Sequence, residues 1–362
     1  MLESEQVDHA PVTWQAFAKS YGLENRPVVA IGFYPHWRGI LASFVQGVKI
    51  QHTNDLRKVP QGAVVLVWGK RAIGELPEDC QIVRLEDGFL RSVGLGAEFA
   101  RPLSWVLDFN HLYFDATGPS RLESLLNSRE FTAQERERAR KLLCTIQESG
   151  ITKYNTGECY WRRPEGEEKV ILVPGQVESD ASIQLGSPDI QRNIALLKKV
   201  KECNANAWII YKPHPDVLAG ARKEGKGEEN AHYWCNEVIT NVNMAVILDQ
   251  VDEVHTMTSL AGFEALLRNK PVTCYGLPFF AGWGLTTDKI ACDRRKSGLK
   301  LLDLVHAVLI DYPVYVSRQT GQYVSPEQVL GELEQWRGTP LSWQDQLKKK
   351  ARKLINMVRE KT

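Results

Sequence analysis

Short apolar runs rich in β-branched residues alternate along this chain with longer stretches whose apolar positions recur every three or four residues. The first pattern reads as strands buried on both faces and the second as helices packed over them. Residues 28–33 (VVAIGF, after Pro27) and 62–68 (GAVVLVW) are such strands, and 81–85 (QIVRL) is a third. Between the first two, residues 38–48 (RGILASFVQGV) carry apolar side chains at helical spacing. Residues 103–113 read as extended, and a helix begins near Ser120 behind Pro119. Residues 132–149 predict a helix with both ends marked. Thr132 and Glu135 form a capping box, and Gly150 closes it.

The stretch 160–169 (YWRRPEGEEK) is charged and broken by Pro and Gly, and reads as a linker. A second series follows it: strand 170–173, helix 189–202, strand 207–211, a polar loop at 220–230, short strands 245–248 and 253–256, helix 260–268 and strand 271–275. The expected fold is therefore α/β, with two Rossmann-like domains facing each other across a cleft. The boundaries fall at residues 1–165, 166–310 and 311–362, the last a helical segment expected to pack back on the first domain.

Composition narrows the function classes. A chain of 362 residues has room for two cores, and 43 % apolar with 25 % charged residues is ordinary for a soluble globular protein. A formal charge of +1 gives no electrostatic footprint for nucleic acid. The seven cysteines show no zinc or redox spacing, which fits free thiols in a reducing compartment. The first residues lack a signal-peptide pattern, and no apolar run reaches membrane-span length, so a cytoplasmic location is expected. The tail is basic (KKKARK at 348–353), with Leu347, Ala351, Leu354, Ile355 and Val358 on one helical face. Such a helix can rest on the inner membrane or pack on the protein.

Five segments could carry chemistry. Glu86-Asp87-Gly88 follows a buried strand, where two crowded carboxylates can have their pKa values driven apart, as an acid/base requires. Asp-Gly is equally a common turn dipeptide. Residues 176–180 (QVESD) place an amide and carboxylates after a second strand end, where a carboxylate could attack an anomeric carbon or simply face solvent. Lys212-Pro213-His214-Pro215-Asp216 holds an imidazole between two prolines beside a cation, which suits an anionic ligand. Thr258 and Ser259 precede an apolar helical run, a place both for a helix cap and for a phosphate. Residues 275–286 offer rings and glycines, either as a wall for a ligand or as interdomain packing. Histidines and carboxylates are not clustered at metal-ligand spacing, so no metal or cofactor is expected, and a divalent cation has little support.

Taken together, EDGFLRSVGLG, PLSWVLDFNHLYFDATGPSRLE, VPGQVESDASI, KPHPDV and TSLAGFEALLRNKPVTCYGLPFFAGWGLT resemble the retaining β-Kdo transferases of capsule polysaccharide synthesis, over about residues 85–286. The resemblance implies a GT-B fold with an acceptor-side first domain, a second domain that binds CMP-Kdo, and a glycan or glycolipid acceptor. It implies Asp180 as nucleophile of a double displacement and Glu86 or Asp87 as acid/base. Lys212, His214 and Pro215 would meet CMP, Thr258 and Ser259 its phosphate, and Arg91 and Gln176 the sugar carboxylate. Relatives of this kind are often fused in tandem, whereas one copy is present here. The alternatives are a GT-B enzyme using another nucleotide sugar or a polyol phosphate, and an inactive glycan-assembly module.

Overall fold

The computed structural model describes residues 10–95 and 100–339. It contains two six-stranded sheets, each with helices against it.

After helix α1 (Trp14–Ser20), the first sheet is built from β1 (Val28–Ile31), β2 (Ile50–His52), β3 (Val64–Trp68), β4 (Gln81–Asp87) and β5 (Ser104–Asp108). All four residues of β1 and the first four of β3 are buried, as expected for central parallel strands. The chain leaves β1 through α2 (Pro35–Phe44) to β2 on one side, then crosses to β3 on the other. That reversal is the switch point of the sheet. β4 extends the parallel set and runs on through Glu86 and Asp87, beyond the stretch that the sequence marks as extended. β5 pairs antiparallel with it, placing Glu86 opposite Val106 and Asp87 opposite Trp105. Two helices follow, α3 (Arg121–Ser128) and α4 (Ala133–Ser149), the latter with the expected capping box and a left-handed Gly150.

The second sheet contains β6 (Val170–Pro174), β7 (Trp208–Lys212), β8 (Glu237–Val238), β9 (Glu253–Thr256), β10 (Val272–Cys274) and β11 (Thr287–Asp288), paired in parallel throughout. Its connecting helices are α5 (Ala181–Gly186), α6 (Asn193–Cys203), α7 (Pro215–Leu218), α8 (Met244–Gln250) and α9 (Leu260–Leu266). The chain runs β6 to β7 to β8 and then returns to β9 on the far side of β6, so this sheet too reverses beside its first strand.

One expectation is overturned. Residues 245–248 lie in α8, not in a strand. Asn243 caps that helix by accepting from the Ala245 N–H at 2.9 Å. Four apolar residues have no readable period, and the cap decided their conformation.

The C-terminal part crosses back. After α10 (Leu301–His306), strand β12 (Pro313–Tyr315) pairs antiparallel with β5 at the edge of the first sheet. Helix α11 (Pro326–Gly338) then lies on α4, held by Arg138 on Glu327 at 2.8 Å and by Arg337 on the carbonyl of Ser149 at 2.6 Å. The basic amphipathic tail, 347–358, lies outside the described residues. No described helix is long and apolar enough to cross a membrane.

The largest apolar core runs through both domains, from Phe89 and Leu103 to Leu172 and Phe263. Phe89 meets Phe279 with ring centroids 5.0 Å apart. Buried Glu123 of α3 takes Arg294 and Arg295 from the other domain, each at 2.9 Å. These contacts fix the strand ends of the two sheets against one cavity.

Candidate active site

The cavity encloses about 700 Å³ where the carboxyl ends of the two sheets meet. Its walls come from the ends of β4, β6, β7 and β9 and from the segment joining the two domains.

The first domain contributes the β4 carboxylates. Glu86 Oε1 accepts the Asp87 N–H at 2.9 Å. Burial, with the Asp87 charge adding to it, raises the Glu86 carboxyl to about 7. Asp87 is held differently. Its Oδ2 accepts from Arg91 Nε at 2.6 Å, while Oδ1 is buried with no partner among the described residues. The two carboxylates thus separate into one poised to exchange a proton and one fixed by a guanidinium. Gly88 is required where β4 meets β5, since a Cβ there would stand 2.5 Å from Ser104 Oγ.

The joining segment supplies a group that sequence reasoning missed. Residues 152–155 (TKYN) fold into a tight loop. The Thr152 N–H donates to Asn155 Oδ1 at 2.8 Å, and Asn155 Nδ2 donates to the Ser92 carbonyl at 3.0 Å. The Lys153 N–H donates to Glu264 Oε1 of α9 at 2.8 Å, which ties the loop to the second domain. Lys153 therefore lines the cavity near Glu86, Asp87, Tyr113 and Tyr154. Burial works against its charge, but those four groups outweigh it and raise the ammonium above its ordinary range. The signal was a polar tetrapeptide bounded by Thr and Asn just after a helix-ending glycine, which reads as a linker until the partner domain is known.

In the second domain, Gln176 follows β6. Its Nε2 donates to Thr258 Oγ1, and its Oε1 accepts the Thr258 N–H, both at 2.9 Å. These two bonds clamp the end of β6 to the start of α9, and Gln176 also lines the cavity. Asp180 stands at the start of α5, makes no cap hydrogen bond with its side chain, and pairs with Arg222. Half exposed, it opens onto the cavity, and its charge reaches both Glu86 and His214.

Lys212 ends β7, buried, and burial lowers its ammonium to about 8. His214 follows between its two prolines and caps α7, its Nδ1 accepting the Asp216 N–H at 3.1 Å. Burial lowers the imidazole to about 4, so the ring is neutral at physiological pH. With Nδ1 an acceptor, Nε2 carries the proton and is the donor left for a ligand. Pro215 opens α7 and also lines the cavity. Ser259 caps α9 by accepting the Ala261 N–H at 3.2 Å, and its hydroxyl proton remains to be donated.

One expectation changes, and one pair of open alternatives is decided. Arg91 does not line the cavity. It is 2 % exposed, and its guanidinium serves Asp87, Ser92 Oγ and the Ala100 carbonyl. It positions Asp87 and is not placed to meet a ligand. The aromatic block 275–286 is chiefly core: Trp283 is 1 % exposed and donates from Nε1 to the Phe279 carbonyl. Of this block, Pro278 and Phe279 reach the cavity wall. Among the described residues no group of three or more His, Cys, Asp or Glu converges as a metal site.

The chain has known counterparts. The sequence profile described as Capsule polysaccharide biosynthesis protein matches residues 162–315. Over 274 residues, 75 % of its length, the chain is 47 % identical to the Capsule polysaccharide modification protein LipA of Neisseria meningitidis serogroup B, of which it spans 39 %. It is 36 % identical over 341 residues to the Lipopolysaccharide-processing protein LpsZ of Rhizobium meliloti, covering 88 % of this chain and 76 % of that protein. Among solved structures it is similar to two from Thermosulfurimonas dismutans KpsC. The beta Kdo 2,7 transferase matches with a TM-score of 0.71 and 38 % identity, covering 86 % of this chain and 99 % of that one. The beta Kdo 2,4 transferase matches with a TM-score of 0.76 and 32 % identity, covering 85 % and 98 %.

Proposed function

This chain belongs to the family of capsule polysaccharide biosynthesis proteins, and from that premise we propose that it transfers β-Kdo from CMP-Kdo to a bacterial surface glycan or glycolipid with retention of configuration. The observation that carries the reading is one cavity that brings Glu86 and Asp87 from one domain up to Asp180, Lys212, His214 and Ser259 from the other.

In this reading CMP lies at the second sheet's switch point, between the ends of β6 and β9. The neutral imidazole of His214 donates from Nε2, Lys212 supplies positive charge, and Ser259 donates its hydroxyl to the phosphate. Lys153 meets the carboxylate that every CMP-Kdo carries, the role that Arg91 is too buried to take. An Asp180 oxygen attacks the anomeric carbon, the bond to the phosphate oxygen breaks, and CMP leaves with the electron pair. Glu86 then takes the proton of the acceptor hydroxyl as that oxygen attacks the same carbon and releases Asp180. Two displacements restore the starting configuration. Asp87, fixed by Arg91, stands beside Glu86 and adds to the rise of the Glu86 carboxyl.

The reading places the chemistry in the cytoplasm, where a CMP-sugar is at hand, and needs no metal. The test is to supply CMP-Kdo generated in situ with candidate glycan acceptors and to read the anomeric configuration of the product by NMR. Release of CMP with a β-linked product is expected. No CMP released above the enzyme-free rate, or an inverted linkage, overturns the reading.

A further inference from the structure

Both sheets reverse direction beside their first strand, and open α/β sheets bind ligands in the crevice at such a point. The second sheet's crevice belongs to the cavity described above. The first sheet's crevice holds a separate cleft of about 540 Å³, lined after β1 by Tyr34 and Arg38, after β2 by Asn54 and after β3 by Arg71. No step of the proposed transfer uses it.

The cleft is cationic in a chain of near-zero net charge. No carboxylate lines it, and among the described residues neither Arg38 nor Arg71 has a carboxylate within ion-pair distance. Nearby Asp55 is occupied by Arg57 at 2.9 Å. The fold makes room for one of these cations. A Cβ on Gly32 would stand 1.4 Å from Arg71 Nη1, so only a bare backbone, at φ +79°, lets the guanidinium lie over the end of β1. The Gly32 N–H is fixed by Asn54 Oδ1 at 2.9 Å. At the rim Tyr34, 66 % exposed, stacks on His36 with centroids 5.9 Å apart and planes 7° from parallel. Guanidinium forks with no carboxylate partner among the described residues suit a carboxylate, and an exposed aromatic face suits the C–H surface of a sugar ring.

The chain links the cleft to the catalytic cavity. Trp68 lines that cavity three residues before Arg71, and Trp37, next to Arg38, stacks on Trp68 at 6.1 Å. We propose that this cleft is a distal acceptor subsite in which Arg38 and Arg71 hold a carboxylate of an acidic saccharide chain, away from the hydroxyl that reacts. The proposal rests on the transferase reading, and it adds an acidic acceptor and the two residues that select it.

The test compares the full chain with its Arg38→Gln/Arg71→Gln double variant. The first measurement is direct titration with an oligosaccharide of two to four Kdo residues, with the same saccharide after carboxyl reduction, and with inorganic phosphate. The expected result is at least a tenfold loss of affinity for the acidic saccharide in the variant, with the reduced saccharide weak in both proteins and phosphate a poor competitor. The second is turnover: KM for the acidic acceptor rises at least tenfold, while the Tm, the CMP affinity and the slow release of CMP without acceptor stay as in the wild type. Equal binding of the acidic saccharide by both proteins overturns the subsite, as does equal binding of the carboxyl-reduced form by the wild type. Displacement by phosphate at concentrations matching the saccharide also overturns it, in favour of a phosphate site. Failure of the transferase reading would show separately, as absence of CMP release from the wild type, and leaves the titration fully readable.

Discussion

Arg91 Nε donates to Asp87 Oδ2 at 2.6 Å, and the pair is nearly sealed from solvent, the guanidinium at 2 % and the carboxylate at 16 % exposure. The other Asp87 oxygen is buried without a partner among the described residues. A buried charge stripped of its counter-charge is costly, about 3–5 kcal/mol. Arg91→Met should therefore destabilise the protein by several kcal/mol in urea melts. Asp87→Asn in the same background should recover part of that loss, since it removes the uncompensated charge. A double-mutant cycle that closes additively would show that the two side chains do not depend on each other.

Glu86 has two measurable consequences of its raised carboxyl. Its folded value, about 7, lies above its ordinary 4.5, so the folded chain holds that proton more tightly between those limits. Stability should fall as pH rises through that window, and Glu86→Gln should abolish the fall. Urea melts at pH 5 and pH 8 measure both proteins. As a base Glu86 must be deprotonated, so the transfer rate should climb with pH to a plateau above about 7. Glu86→Gln should cost about 10²–10⁴-fold in kcat. A wild-type rate flat from pH 5 to 8 would remove Glu86 from the proton transfer.

CMP binding should carry the signature of Lys212 and not of His214. The imidazole, lowered to about 4, is neutral from pH 5.5 upward and gives no step near 6.5. The ammonium, lowered to about 8, is lost as pH rises, so the CMP Kd should increase several-fold between pH 7 and pH 9.5. Lys212→Arg should flatten that rise, because a guanidinium stays charged. His214→Ala should weaken CMP by about tenfold, or ~1.4 kcal/mol, across the whole range with little change in Tm. Calorimetric titrations above pH 7, beyond the second phosphate pKa, isolate the protein's contribution.

What could be read from the sequence follows from how local each signal is. The two α/β series were legible because buried parallel strands are short β-branched runs, and the helix at Thr132 because its cap and stop are written in adjacent residues. The strand-end positions of Glu86, Gln176 and Lys212 followed from those runs. Everything that depends on the partner domain was hidden. Lys153 enters the cavity because its backbone is tied to Glu264, 111 residues away. Arg91 is lost to ligands because Asp87 claims it. Gln176 is braced by Thr258, 82 residues on, a pairing that exists only once β6 and β9 lie side by side. A rigid polar residue at a strand end has two possible users, a ligand or a neighbouring loop, and sequence spacing does not distinguish them. The fate of residues 245–248 has a similar cause, since a single Asn243 cap outweighed four residues of strand-like composition.

The proposed nucleophile, Asp180, is the element of the proposed mechanism most open to experiment. Asp180 makes no cap hydrogen bond with its own helix, so its carboxylate is not consumed by the backbone around it. Its ion pair with Arg222 is half exposed on both sides and so contributes little to stability. That arrangement leaves a carboxyl group beside the cavity that a donor could free by displacing Arg222. Asp180→Ala should then abolish transfer while leaving Tm and CMP affinity close to wild type, because the proposed CMP contacts come from the ends of β7 and β9. Wild-type enzyme given CMP-Kdo without acceptor should gain the mass of one sugar residue, since the first displacement needs no acceptor. Glu86→Gln should accumulate the same adduct in the presence of acceptor, because only the second displacement needs a base. Peptide mapping should place the added mass on Asp180. Arg222→Ala serves as the control for positioning: it should change KM for the donor and still form the adduct. Near-normal turnover by Asp180→Ala, or an adduct mapped to Glu86 or Asp87, would give the nucleophile's role to another carboxylate and leave Asp180 as the partner of Arg222.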